Sequence, residues 1–159
     1  MSQKTIPTDR SIAWISIIPQ LFLMAVIFGV FYLLKVKERA IFVGLTYLLL
    51  SFILKKIFLK NHNKGIMLIK EGKDREAIVS FGKSASFFAN HSWIDRYRFI
   101  TLLSSSKYSY REMALINSAY CYVQLGEIEK AKEYYEIVLR EHPNNDLAKK
   151  YLLKLSSSE

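Results

Sequence analysis

The sequence predicts an all-α protein in two parts, a pair of membrane-spanning helices followed by a small domain of repeated helix pairs. The 159 residues are 51% hydrophobic and contain only 6 glycines and 3 prolines, too few for a turn-rich all-β fold. Two long uncharged runs lie within the first 60 residues. After residue 60, apolar residues recur at three- and four-residue spacing, the period of an amphipathic helix.

The net charge of +9 is concentrated in the most apolar part of the chain. Residues 1–60 hold 8 Lys/Arg against 2 Asp/Glu, whereas residues 61–159 hold 15 against 12. This distribution favours a membrane as the partner and disfavours nucleic acid, which needs a basic surface on the folded domain. The single cysteine, Cys121, excludes an internal disulfide and a CxxC motif.

The first uncharged run covers residues 12–34. As a helix, its 23 residues extend about 35 Å, enough to cross a hydrocarbon core of about 30 Å. A signal peptide is the alternative, but its apolar region is shorter and ends in small residues at a cleavage site. Pro19 leaves the start open, because the helix could begin at Ile12 with a kink or at Pro19 itself.

The second uncharged run covers residues 40–54 and continues as Ile57-Phe58-Leu59 beyond two lysines. Lysine stems lie along apolar surface while their ammonium groups reach the headgroups, so residues 40–59 suffice for a second span. An interfacial helix would need a strongly charged face, which residues 40–54 lack.

The five residues 35–39 join the two runs, so the spans form an antiparallel hairpin. Six basic residues lie on the side of the chain termini and three in the turn; those six are Lys4, Arg10, Lys55, Lys56, Lys60 and Lys64. The positive-inside rule therefore predicts two spans with both termini in the cytoplasm. The frequent Lys, Ile, Tyr and Phe are compatible with a bacterial inner (cell) membrane.

An internal repeat appears in residues 61–155 when the chain is shifted by 54 residues. Each copy has an apolar helix, a glycine turn, and a second helix in which a small residue precedes an aromatic one. The coinciding pairs are Gly65 with Ala119, Leu68 with Tyr122, Gly72 with Gly126, Ala77 with Ala131, and Phe81 with Tyr135. A small residue at such a position lets two helices approach closely.

Residues 112–145 resemble a tetratricopeptide repeat, a 34-residue helix pair. The landmarks in register are Leu115, Ser118-Ala119, Tyr122, Gly126, Ala131, Tyr135 and Pro143. Residues 58–91 are similar to the same repeat at fewer positions. Residues 92–104 are expected to form an inserted helix, residues 146–155 a capping helix, and residues 156–159 a tail.

The predicted domain has two repeats, although about three are normally needed to bury a continuous core. The inserted helix would supply part of the missing core, and formation of a homodimer is the other way to cover an apolar face. No catalytic, metal or cofactor site is expected. The three histidines, His62, His91 and His142, lack the spacing of metal ligands. Cys121 is expected to be buried among packed side chains.

The resemblance implies a binding groove lined by the first helix of each repeat. The implied groove residues are Met113, Ile116, Asn117, Tyr120, Val123 and Gln124 in the second copy, and His62, Asn63, Ile66, Ile69 and Lys70 in the first. Packing of the inserted or capping helix in this groove is the alternative. Some family members hold a C-terminal carboxylate with Lys, Asn and Arg, and only Asn117 fits that set.

The expected function is that of a membrane-anchored adaptor or scaffold, not an enzyme. The domain would bind a peptide or helix of a partner protein at the cytoplasmic face of the membrane. The alternative is a structural or assembly subunit whose hairpin packs on other transmembrane helices of a complex.

Overall fold

A computed structural model describes residues 14–157 of the chain. Within these residues the secondary structure is helical with no strand, which confirms the all-α prediction there. A short 3-10 turn, Trp14–Ser16, precedes the first helix. The helices are α1 Ile17–Leu33, α2 Arg39–Phe58, α3 Lys60–Lys70, α4 Asp74–Asn90, α5 Ser92–Arg96, α6 Arg98–Thr101, α7 Tyr110–Gln124, α8 Ile128–Glu141 and α9 Asp146–Ser156.

Helices α1 and α2 pack against each other as a hairpin. The N–H groups of Lys35 and Val36 donate to the carbonyls of Tyr32 and Phe31, which is the Schellman pattern that ends a helix. Lys35 has a φ of 54°, a left-handed conformation that this pattern requires. Across the hairpin, the Arg39 guanidinium lies 4.9 Å from the centroid of the Tyr32 ring.

Helix α2 has 20 residues and is long and apolar enough to cross a membrane, by length and composition alone. Helix α1 is also apolar but has 17 residues, about 26 Å. Pro19 lies in the first turn of α1, where its missing N–H group breaks no helical hydrogen bond. The predicted start at Ile12, and the basic residues Lys4 and Arg10, lie outside the described residues.

The two helices of the hairpin bury little surface in the protein. No residue of α1 is buried, and Val43 is the one buried residue of α2. The exposed large side chains lie on both helices and include Leu21, Phe22, Val26, Leu45, Leu48, Leu49 and Phe52. This exposed apolar surface does not fit the core helix of a water-soluble protein.

Two helix pairs, α3–α4 and α7–α8, have the same turn. In the first pair, the N–H groups of Gly72 and Lys73 donate to the carbonyls of Ile69 and Leu68. In the second pair, Gly126 and Glu127 donate to Val123 and Tyr122, each 54 residues later in the chain. Gly72 and Gly126 have φ values of 77° and 76°, which favour glycine at both positions.

The core of the domain lies between α3, α4, α7, α8 and α9, with α4 and α7 in the most extensive contact. Seven of the predicted packing residues are buried: Gly65, Leu68, Ala77, Phe81, Ala119, Ala131 and Tyr135. Tyr122 is half-buried with its ring 5.1 Å from that of Tyr134, and Pro143 is exposed. Helix α9 covers the end of the stack, where the rings of Tyr135 and Tyr151 stack at 5.9 Å.

The segment between the two helix pairs differs from the single helix predicted over residues 92–104. It forms two short helices, α5 and α6, with Tyr97 between them. Arg98 Nη1 donates to the carbonyl of Asp95, the atom that would accept the Phe99 N–H in an unbroken helix. Leu103 has a φ of 46°, so the helical path ends before residue 104. We call residues 92–101 the insertion.

A second, smaller core joins the hairpin to the domain. It contains Leu59, Phe88, Ile94 and Leu102, and Phe58, Phe87 and Tyr110 pack against it. Leu59 is the one residue between α2 and α3, so the hairpin continues into the domain without a linker. The insertion therefore packs on the end of α2, and α6 also contacts α1.

Candidate functional site

The groove predicted from the first helices of the repeats lies along α3 and α7, which contact each other. On α7, Met113, Tyr120 and Val123 are half-buried and Gln124 is exposed. Met113, Tyr120 and Gln124 are seven and four residues apart, so they share one face of the helix. On α3, Ile66 is half-buried, while Asn63 and Lys70 are exposed. We call these accessible side chains the α3–α7 groove: Met113, Tyr120, Val123, Gln124, Ile66, Asn63 and Lys70.

Three predicted groove residues are fully buried, since Ile69, Ile116 and Asn117 are each 0% exposed. Ile69 and Ile116 belong to the core of the repeat stack. These three side chains therefore offer no surface to a partner in this structure. Both polar atoms of the Asn117 amide are buried without a hydrogen-bond partner, so the residue that fitted the carboxylate-binding set is closed off.

Helix α9 lies at one end of the groove, close to Tyr120. Burial raises the pKa of the Tyr120 phenol above its usual value, and the nearby Asp74 and Tyr151 act in the same direction. The phenol is therefore neutral at physiological pH and can both donate and accept a hydrogen bond. The accessible groove combines apolar surface with a phenol, two amides and one lysine, a composition that suits a protein segment.

His62, also predicted for the groove, is buried in the domain. Its ring lies between the rings of Phe81 and Tyr110, with both centroids at 5.6 Å. Burial lowers the pKa of the imidazole to about 4, so His62 is neutral at physiological pH. Its Nδ1 atom is buried without a hydrogen-bond partner. His62 therefore contributes to the packing of the domain and not to the surface of the groove.

The other polar candidates are held by the chain itself. The His91 ring stacks on Phe87 at 4.6 Å, and His142 lies 3.9 Å from the Glu112 carboxylate. Cys121 is buried and takes part in no disulfide. Among residues 14–157, no group of three or more His, Cys, Asp or Glu side chains could hold a metal ion.

A polar network that the sequence did not reveal joins the insertion to the second helix pair. The buried Asp95 carboxylate accepts hydrogen bonds from the N–H groups of Tyr110 at 2.8 Å and Arg111 at 2.9 Å. These are the first two residues of α7. Burial raises the pKa of the Asp95 carboxyl, while the two N–H groups act in the opposite direction. An aspartate of the insertion thus caps α7 from a distance.

The network continues from α7 to α9. Ser109 and Glu112 form a capping box, with hydrogen bonds of 2.8 and 3.1 Å between side chain and backbone. The second oxygen of Glu112 accepts from Asn145 Nδ2 at 2.8 Å, and Asn145 Oδ1 caps α9 by accepting from the Ala148 N–H. The Ser-x-x-Glu spacing is a sequence signal for the capping box. The Asp95 contact has no comparable signal.

A shallow cavity of about 610 Å³ lies beside this network. Two of its three arginines, Arg98 and Arg111, are engaged within the chain. The Arg111 guanidinium holds both oxygens of Glu141, at 2.6 and 2.8 Å, and Arg98 donates to the carbonyls of Asp95, Ser106 and Lys107. This cavity is a structural junction, and the α3–α7 groove is the better candidate for recognition.

Comparison with known protein families identifies a tetratricopeptide repeat at residues 113–145. This range contains α8 and all but the first turn of α7. Searches of curated proteins and of solved structures returned no match. The chain therefore contains a tetratricopeptide repeat, which indicates an adaptor or scaffold in protein–protein interactions.

Proposed function

We propose that this protein is a membrane-anchored adaptor that binds a segment of a partner protein in the α3–α7 groove, at the cytoplasmic face of the membrane. The tetratricopeptide repeat supports protein binding, since proteins with this repeat are typically non-enzymatic adaptors. Tethering the repeat domain would raise the effective concentration of the partner at the membrane.

The single observation that carries the membrane part of the proposal is the exposed apolar surface of the hairpin. Both helices are apolar around their circumference, and Val43 of α2 is the one residue of these two helices that is buried. In water this surface would promote aggregation, whereas in a bilayer it faces lipid. Helix α2 has the length of a span, and the shorter α1 could cross with local thinning of the bilayer.

The proposed orientation follows from the basic residues at the two ends of the hairpin. Lys55 and Lys56 lie in the last turn of α2, and Lys60 and Lys64 follow in α3. The turn at the opposite end holds Lys35, Lys37 and Arg39. With Lys4 and Arg10 counted on the domain side, as the two-span hairpin requires, the count is six against three, and the positive-inside rule supports a cytoplasmic domain.

Photocrosslinking in membranes tests the groove. The photoreactive residue p-benzoylphenylalanine would replace Tyr120 or Gln124 in the full chain, expressed in its native membranes. We expect adducts of one common mass from both positions. As a matched control, the same residue at the exposed positions Glu133 and Glu136 of α8 should give no such adduct.

A variant then separates binding from proximity. With the probe at Gln124, Tyr120→Ala should reduce the adduct yield about five- to tenfold, because a well-packed aromatic contact contributes about 1 kcal/mol or more to binding. A melting curve of the variant must show that the domain is still folded. Equal adducts from groove and control positions, or none from the groove, would refute the proposed function.

A further inference from the structure

The insertion presents an exposed face to solvent that the proposed adaptor function does not use. Trp93, Tyr97 and Ile100 are 58%, 56% and 54% exposed. They are spaced four and three residues apart, so they project from one side of α5 and α6. The opposite side of the insertion is buried, because Ile94 and the following Leu102 belong to the core that joins the domain to the hairpin.

The position of this face relative to the hairpin is the second observation. The insertion packs on the end of α2 through Leu59, and α6 contacts α1. The insertion therefore lies at the base of the hairpin, where both helices would leave the hydrocarbon core.

The chemistry of the surroundings matches a lipid surface. Tryptophan and tyrosine are enriched at the boundary between hydrocarbon and water, where the ring is apolar on one side and its polar atom reaches water. Residues 55–64, at the junction of α2 and α3, contain four lysines and no Asp or Glu, and Arg96 of the insertion is exposed. The one acidic residue of the insertion, Asp95, is buried and caps α7. This basic surface complements anionic headgroups.

We propose that the insertion lies in the membrane interface, with Trp93, Tyr97 and Ile100 among the headgroups of an anionic bilayer. It acts as a collar that fixes the repeat domain against the membrane. The inference rests on the proposed function, since it requires the hairpin to cross the bilayer. It goes further by assigning a lipid-binding role to the segment that interrupts the two repeats.

The two tryptophans of the chain allow the collar and the hairpin to be tested separately. The full chain would be reconstituted in nanodiscs of phosphatidylcholine and phosphatidylglycerol, with or without lipids brominated on the acyl chains. Trp14→Phe leaves Trp93 as the sole tryptophan and reports on the insertion. Trp93→Phe leaves Trp14, which lies just before α1 and reports on the hairpin.

We expect brominated lipids to quench both tryptophans, and shallow bromines to quench Trp93 more than deep ones. Acrylamide in the water should quench Trp93 less than it quenches free tryptophan, and removal of phosphatidylglycerol should weaken the lipid quenching of Trp93. If brominated lipid quenches Trp14 but Trp93 is quenched only by acrylamide, the collar is wrong, while the proposal that the hairpin lies in the bilayer is retained.

Two other results are also decisive. If neither tryptophan is quenched by lipid, the hairpin is not in the bilayer and the proposed function fails together with the collar. If Trp93 is shielded from acrylamide but insensitive to brominated lipid, protein covers this face, which contradicts a lipid interface. A Tyr97→Lys variant in the Trp93-only chain should lower the lipid quenching of Trp93. Val79→Lys, at an exposed position of α4, is the matched control and should not lower it.

Discussion

At Gly65 the first helix pair is packed more tightly than a side chain allows. A Cβ atom at this position would lie 2.6 Å from Cε1 of Phe81, and Phe81 is fully buried. The equivalent positions of the second pair hold Ala119 and Tyr135, both also buried. The small-plus-aromatic pattern in the sequence concerned Ala77 and Phe81 of α4, and it did not reveal that Phe81 also packs this closely on Gly65.

We expect Gly65→Ala to lower the free energy of unfolding by up to about 2 kcal/mol. Crowding against Phe81 costs about 1–3 kcal/mol, which exceeds the gain of about 1 kcal/mol in helix propensity. Gly82→Ala is the matched control, because a Cβ there meets no atom within 4 Å. It should stabilise α4 by about 0.5–1 kcal/mol. Melting temperatures of the full chain in detergent measure both, and equal shifts in one direction would contradict this packing.

His62 makes the stability of the domain depend on pH. Its pKa is about 4 in the folded protein and about 6.5 when the chain unfolds. The unfolded chain therefore binds the extra proton between these values. The contribution of the neutral imidazole is complete above pH 6.5 and is lost as the pH falls to 4.

We expect the free energy of unfolding to fall by about 3 kcal/mol between pH 6.5 and 4 on account of this residue. His62→Ile places there the residue that the second copy has at Ile116, and it should remove that part of the pH dependence. His91→Gln, at an exposed position, is the matched control variant. Urea titrations at several pH values give the comparison. If the free energy of unfolding changes equally with pH in the His62→Ile chain and the native chain, the burial of His62 is not the cause of the pH dependence.

At the scale of the elements, helix α7 depends on groups from other segments for its first turn. Asp95 of the insertion accepts the N–H groups of Tyr110 and Arg111, and Glu112 connects the capping box to Asn145 before α9. The insertion is therefore part of the mechanism that holds the second helix pair in place. It is not a surface loop that could be shortened without consequence.

Asp95→Asn should destabilise the domain by about 1–3 kcal/mol, because an amide has one acceptor oxygen and leaves a buried N–H of α7 without a partner. Hydrogen exchange of the Tyr110 and Arg111 amides should accelerate. Asp146→Asn is the control at an exposed first-turn position, where solvent screens the ion pair with Lys107 and the pair adds little stability. Equal effects of the two substitutions would exclude the capping role of Asp95.

The elements themselves were largely predictable from periodicity, because apolar spacing and the two glycine turns are local signals. The 54-residue shift aligned the sequence of α3–α4 with that of α7–α8, and equivalent pairs of backbone hydrogen bonds close both turns. The break of the insertion at Tyr97 was not predictable, since it depends on Arg98 reaching the carbonyls of Ser106 and Lys107. The burial of Asn117 and Ile116 was missed because helical spacing gives a face but not what covers it.

At the scale of the whole molecule, the hairpin and the repeat domain form one continuous helical path. Leu59 alone separates α2 from α3, and its side chain lies in the core shared with the insertion. In the proposed function, a bound partner would thus be held at a fixed height above the membrane. The sequence could predict the two apolar runs, but the contact of α6 with α1 depends on tertiary packing.

The most direct test of the proposed topology is cysteine labelling in intact spheroplasts with a membrane-impermeant maleimide. Cys121 is 0% exposed, so the unmodified chain supplies an unlabelled background. We expect Lys37→Cys, in the hairpin turn, to react in intact spheroplasts, and Ser157→Cys, after α9, to react only once the membrane is permeabilised. Labelling of Ser157→Cys in intact spheroplasts, or protection of Lys37→Cys, would contradict a two-span hairpin that holds the repeat domain in the cytoplasm.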